Sequence, residues 1–394
     1  MASQSAKIKK IYKPENKYNG NELDYVLKVL DSEDLDRKEI PFVQRLENLT
    51  TEVFKSKYAI AHNSGTSTLH TCLVAAGIKP GDEVISPAHT VIMNSFVTLH
   101  QHALPVYVDI DPNTFNMCPD DLERKITNKT KAIQVVHMHG NPSDMERIME
   151  IANHYKIPVI EDSAQCVLSY INNKLVGTFG DMASWSFENK KHLSAGEGGM
   201  VTTNNKEYAT IIRKTGGLGY KTLSAGQSLR QLLPKDFQNP HYKRHDILGY
   251  NYRMNEITAA LALAQMERAE FLVNRRCKVA KMYDEAFKDC NYIIPQKVLP
   301  GHTNTYWTYT VKYEGDNWFN LYNKVKEAGG DGFYGGLSVP YHEPIMENYN
   351  YKKGDCPNAE STQPKMMQFK TNYRDLLVAQ EKINILKEVI NNLE

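Results

Sequence analysis

Cysteine is sparse and unpatterned in this chain. Cys72, Cys118, Cys166, Cys277, Cys290 and Cys356 are scattered, with no C-x-x-C pair and no zinc-ribbon spacing. In a chain of this size that pattern reads as reduced thiols in a cytoplasmic protein, and as buried structural residues rather than activated nucleophiles. An excess of one charge is also missing: 47 Lys+Arg against 46 Asp+Glu leave +1. That balance argues against a general nucleic-acid binder, which needs a basic surplus or stripe. No apolar run reaches the roughly 18 residues of a membrane span, so no membrane partner is expected. The first twenty residues, MASQSAKIKKIYKPENKYNG, carry charge but lack the apolar region of a secretory signal. There is no internal repeat and no low-complexity segment.

What remains is an ordinary globular composition, 41% hydrophobic and 24% charged over 394 residues. Such a length buries a substantial core without staples, in two or three domains or in one large α/β domain with an appendage. From about residue 55 to 205, helical and strand patterns alternate. Leu69, Cys72, Leu73 and Ala76 recur on one helical face. Short apolar runs at 83–86, 104–109, 132–136, 158–160, 183–187 and 200–202 read as buried strands, with a polar helical stretch at 143–155 between two of them. The fold class expected is α/β: a large domain with a mostly parallel mixed sheet flanked by helices, plus a smaller α+β domain. Ligand chemistry then belongs at the carboxyl ends of the strands. The stretch 223–244 is polar and Gln-rich and reads as a long loop. Met254, Ile257, Leu261 and Ala264 mark a long amphipathic helix, and Ile383, Leu386, Ile390 and Leu393 mark a last one.

Four segments could carry chemistry. Asn63-Ser-Gly-Thr-Ser67 opens a helix with small residues, which makes either an ordinary cap or an anion site built of free N–H groups. Val159-Ile-Glu-Asp-Ser-Ala-Gln165 ends a buried strand on two carboxylates, and Asp162 could cap a helix or meet a cation such as a protonated pyridine nitrogen. Ser184 to Gly199 runs from a strand through Lys190 and Lys191 into a Gly-rich turn and the next strand. A lysine held there is desolvated, which lowers its pKa and suits a Schiff-base amine. Gly249-Tyr-Asn-Tyr-Arg-Met254 precedes a helix and could also serve an anion. His137 and His139, at i and i+2, would share one side of a strand and raise a metal site as a weaker reading.

In order and spacing these segments resemble the DegT-type pyridoxal-phosphate aminotransferases, which act on nucleotide-linked keto-sugars and share the aspartate aminotransferase-like fold. The likeness covers nearly the whole chain, including Pro105-Val-Tyr-Val-Asp-Ile-Asp111, 133–142, Asp144-Met145 and Cys356-Pro-Asn-Ala-Glu360. It implies that Lys191, five residues from both Ser186 and Gly196, attaches the cofactor and shuttles protons. Asp162 would pair with the pyridine nitrogen, and Gln165 would bond the ring hydroxyl. Gly65, Thr66 and Ser186 would hold the phosphate, joined by Asn251 from the neighbouring subunit of a homodimer. His342, with Tyr341, would contact substrate. The family's ring-stacking aromatic position is occupied by Val91, so Val91 or His89 would take that role.

The resemblance further implies glutamate as amino donor and a nucleotide-linked keto-sugar as acceptor, leaning toward a 4-keto-6-deoxy sugar of the perosamine or viosamine type. Alternatives are a 3-keto sugar, a cyclitol ketone, or a dehydratase of the branch that has His in place of the lysine. A regulator that keeps the fold without turnover is a further reading, which intact Lys191, Asp162 and Gln165 oppose. The expected division is an N-terminal segment (1–49) serving the small domain or dimer, a cofactor domain (50–270) and a small C-terminal domain (271–394). Arg230, Lys235, His241, Lys243 and Arg244 could meet a diphosphate, or form a solvated basic loop.

Overall fold

The computed structural model describes residues 17–31, 40–227, 238–315 and 317–392. Seven strands build the main sheet: β1 (Tyr58–His62), β2 (Glu83–Pro87), β3 (Leu104–Val108), β4 (Thr130–Val136), β5 (Val159–Asp162), β6 (Met182–Ser186) and β7 (Gly199–Thr203). Their order is β1–β7–β6–β5–β4–β2–β3. The pairs from β6 through β3 are parallel, whereas β7 runs antiparallel to both β1 and β6. Both faces are covered, so most residues of these strands are buried rather than alternating between core and solvent.

Helices along this part are α1 (Glu22–Asp31), α2 (Phe42–Val53), α3 (Gly65–Ala75), α4 (Met93–His100), α5 (Pro119–Lys125), α6 (Met145–Tyr155), α7 (Lys206–Gly216), α8 (Glu256–Met266) and α9 (Ala269–Phe287). Alternation along β6 divides the core. Ala183 and Trp185 face a cluster with α2 and α8, while Met182 faces one with α3 and α7. Trp185 stacks on Phe54 at 3.9 Å between ring centroids. Burial of such large rings contributes roughly 2–3 kcal/mol each at the usual area coefficient.

A second sheet, wholly antiparallel, has the order β8–β9–β11–β10, from β8 (Ile293–Pro295), β9 (Thr308–Tyr313), β10 (Tyr334–Gly335) and β11 (Met366–Lys370). α10 (Trp318–Glu327), α11 (Pro357–Thr362) and α12 (Leu376–Asn391) complete this part. α9 serves two cores: Ala269 and Val273 pack in the first, whereas Val279, Tyr283 and Phe287 pack under the second sheet.

Three local expectations change. The helix at 65 is not one-faced, because eight of its eleven residues are buried. α9 is a separate helix, and the helix marked by Met254, Ile257, Leu261 and Ala264 is the eleven-residue α8, with Met254 just before it. Its buried side is made of Ala259, Ala260, Ala262 and Leu263, while Ile257 is 42% exposed. Small side chains, not the large ones, let α8 lie close to α1 and α2. β1 had no strand signal of its own and is held by ladder bonds to β7. In the last helix Ile383, Leu386 and Ile390 are buried as read, and Leu393 lies outside the described residues. All six cysteines are free, and Cys72, Cys166 and Cys356 are buried. Among the described residues no helix is long and apolar enough to cross a membrane.

Candidate active site

The carboxyl ends of β2, β4, β5 and β6 converge, and the chemistry-bearing residues lie at or just beyond them: His89 after β2, His137 after β4, Asp162 ending β5 and Ser186 ending β6. Alternation along β5 sends its two carboxylates to opposite sides. Glu161 is fully buried and accepts from Gly177 N at 2.8 Å, Phe179 N at 2.7 Å and Gly180 N at 2.6 Å. It also meets His137 Nε2 at 3.2 Å, so Glu161 belongs to the scaffold. Asp162 holds fewer partners: Asn94 Nδ2 at 3.3 Å and Ala164 N at 3.2 Å. No helix starts at Asp162, so it is not a helix cap.

Burial pushes the Asp162 carboxyl up, and the positive charge of Lys191 opposes that shift. Burial likewise lowers the Lys191 ammonium, which Asp162 and then Glu188 partly restore. The side chain of Lys191 is half-buried, yet its Nζ lies deep in the packed interior, 4.5 Å from the centroid of Trp307. Lys190 behaves differently: it is exposed and lies over Tyr334 at 5.2 Å. The two neighbouring lysines are thus separated by position, and only Lys191 faces Asp162.

The lysine loop is pinned from behind. Arg276 of α9, 5% exposed, donates to Lys190 O at 3.1 Å, Lys191 O at 3.0 Å and Trp307 O at 2.7 Å. Burial lowers its pKa to about 10. His192 is held away from the site by a 2.9 Å bond between its Nε2 and Thr305 O, and burial keeps its imidazole neutral.

At the start of α3, Ser64 and Ser67 form a reciprocal capping box. Ser64 Oγ accepts from Ser67 N at 3.1 Å and Ser64 O from Thr68 N at 3.2 Å. The amides of Gly65 and Thr66, first in the helix, have no intrahelical acceptor. An added Cβ on Gly65 would lie 3.0 Å from Ser186 Cβ, so the cradle and the Ser186 hydroxyl adjoin. Gly199 is required by close approach, since a Cβ there would sit 2.5 Å from Ser64 O. Gln165 is buried, and its Oε1 accepts from His139 N at 2.8 Å, which leaves its Nε2 without a hydrogen bond among the described residues.

His139 turns with φ +63°, so it and His137 do not share a strand face, and the metal reading loses its geometric premise. Its Nε2 and both nitrogens of fully buried His89 lack partners among the described residues, and the two rings lie 5.8 Å apart. Val91 is half-buried. Asn251 is exposed, and its carbonyl accepts weakly, at 3.5 Å, from Asn63 just before the cradle. Tyr341 is buried and donates to Glu360 at 2.6 Å, while His342 lies 3.7 Å from the same carboxylate. Arg230 and Lys235 lie outside the described residues, whereas His241 and Lys243 are exposed. Trp307, Asn94 and Arg276 went unread because each reaches the site only through the folding of a distant segment.

These groups suit one cofactor. A cradle of unpartnered amides fits a phosphate, a buried carboxylate fits a protonated ring nitrogen, and a desolvated amine fits a Schiff base. The class so defined is the pyridoxal-phosphate enzymes. Residues 16–381 match the DegT/DnrJ/EryC1/StrS aminotransferase family, and the chain belongs to that family. It is similar to the GDP-perosamine synthase of Escherichia coli O157:H7, 38% identical over 76% of this chain and 77% of that one. The GDP-perosamine synthase of Caulobacter vibrioides is 38% identical over 75% of each. An aminotransferase structure from Psychrobacter cryohalolentis superposes with a TM-score of 0.84 at 27% identity, covering 94% of this chain and 96% of that one. The chain is a pyridoxal-phosphate-dependent aminotransferase with the fold expected from its sequence.

Proposed function

We propose that the protein transfers an amino group from glutamate to a nucleotide-linked keto-sugar, specifically a 4-keto-6-deoxy sugar, and works as a cytoplasmic homodimer. The observation that carries the reaction is the desolvated Lys191 amine facing Asp162. The substrate reading draws on the two relatives named GDP-perosamine synthase.

Bound pyridoxal phosphate supplies an electron sink for the charge left when a proton leaves the amino-bearing carbon. Gly65 N, Thr66 N and Ser186 Oγ would bind the phosphate. Asp162 would keep a proton on the ring nitrogen, and Gln165 Nε2 would donate to the ring hydroxyl. Val91 or His89 would pack on the ring. Lys191 Nζ, less basic than an ordinary lysine, would hold the cofactor covalently and would accept and return the substrate proton. Arg276 holds the carbonyl side of that lysine in place. Asn251 completes the phosphate site of the partner subunit. His342 is the substrate contact of its pair, because the Tyr341 hydroxyl is committed to Glu360.

The test uses wild type, Lys191→Ala and Lys190→Ala, each incubated with pyridoxal phosphate, glutamate and a panel of nucleotide 4-keto-6-deoxy sugars. Product masses are then read. Wild type and Lys190→Ala should release an aminated sugar, while Lys191→Ala should neither turn over nor hold the cofactor covalently. Normal turnover by Lys191→Ala would sink the reading. A deoxygenated product lacking glutamate nitrogen would assign a dehydratase instead.

A further inference from the structure

A cavity of about 220 Å³ lies against residues 189–192. Besides Lys191, six cationic side chains line it: Lys17, Lys190, Arg268, Arg275, Arg276 and Arg374. No carboxylate belongs to the lining. Three stand nearby. Glu22 is 3.5 Å from Arg268, Glu188 acts on Lys17, and Asp375 acts on Arg275. They are outnumbered, and Arg276 meets only neutral acceptors: three backbone carbonyls and the Thr371 hydroxyl. Arg275 Nε is a buried donor with no hydrogen-bond acceptor among the described residues, whereas Arg268 Nη1 is ion-paired with Glu22.

Like charges enclosed together are costly unless an anion joins them. The cost is visible at Lys17, whose ammonium is lowered to about 8 by burial, with Arg276 and Arg374 adding to that effect against Glu188. Its Nζ donates to Asn189 O, to Asn189 Oδ1 at 2.7 Å and to Ser194 Oγ at 2.6 Å, which occupies its three N–H groups and holds its charge at the cavity. Planar guanidinium forks match the oxygens of phosphates bidentately, as they match carboxylates.

We propose that this cavity binds a phosphate-type anion, with Arg275 and Arg374 as its donors and the Lys17 ammonium as a neighbouring positive charge. Two sources share that chemistry: a free inorganic phosphate or pyrophosphate, and the diphosphate of a nucleotide-linked substrate. Only the second rests on the proposed function.

The test titrates inorganic pyrophosphate calorimetrically into the cofactor-loaded protein at constant ionic strength, so that the cradle at α3 is already filled. Arg275→Ala and Arg374→Ala are compared with wild type. Arg374 is exposed and Arg275 half-buried, and circular dichroism verifies that both variants fold. Each should weaken pyrophosphate binding about tenfold or more. Guanosine and uridine diphosphates form the second arm. Nucleotides that displace pyrophosphate and lose affinity in Arg374→Ala assign the cavity to the substrate's diphosphate. Pyrophosphate that binds alongside them assigns a separate anion site. Equal pyrophosphate affinity in wild type and both variants, or a signal no larger than added chloride gives, overturns the proposal. The pyrophosphate arm requires no turnover, so a wrong substrate assignment leaves it standing.

Discussion

Glu161 and Asp162 are neighbours whose surroundings give them different work. Asp162 faces Lys191 with only two hydrogen bonds, and exchanging it for Asn keeps the shape while removing the charge. Asp162→Asn should still bind cofactor but lose about 100-fold or more in kcat, the scale seen when one electrostatic partner of a reacting centre is removed. Steady-state kinetics beside a cofactor absorbance titration checks this. Lys17 gives a pH prediction. Its folded pKa is about 8 against the ordinary 10.5, so between those values the unfolded chain binds more protons. The contribution of Lys17 to stability should therefore rise with pH through that window. Urea melts of wild type and Lys17→Met at the two ends of the window should differ by that rise, which the variant lacks.

At the scale of elements, α9 carries the strongest expectation. Arg276 ties the lysine loop after β6 to Trp307 at the start of β9. Arg276→Met leaves the Lys191 carbonyl without its donor, while Lys190 O keeps Trp307 Nε1 and Trp307 O keeps Thr371 Oγ1, and it should cost about 1–3 kcal/mol in denaturant stability. It should lower kcat more than it raises KM, because Lys191 loses its backing while the binding groups stay. In sequence, Arg276 looks like one more charge on a helix surface, and only packing reveals that it points inward. α3 was legible through its small N-terminal residues, whose capping chemistry is local. Its burial on nearly all sides was not, because apolar spacing records which residues are hydrophobic and not how many neighbours arrive. The α8–α9 break was hidden for a similar reason: both helices have helical spacing.

Among the described residues the two larger sheets share α9, and we propose the division into 1–49, 50–270 and 271–394 with α9 as the strut between the last two. The proposed dimer makes a further prediction. If Asn251 serves the partner's site, Lys191→Ala and Asn251→Ala proteins are each poorly active alone. Mixed dimers would contain one site with an intact lysine and an intact Asn251 from the other subunit. Activity should reappear on mixing and subunit exchange, measured by aminated product; its failure to return would place Asn251 within its own subunit's site.

By itself the sequence determined the strand and helix succession, the cofactor lysine's candidates and the order of the motif segments. These are written in spacing and local side-chain chemistry, which act over a few residues. Tertiary structure decided which lysine is desolvated, which of two adjacent carboxylates faces it, and which histidines stand unpaired. It also gathered cations from residues 17 to 374 around one cavity. Burial and long-range contact set those outcomes, and a net charge of +1 over the whole chain gives no sign of them.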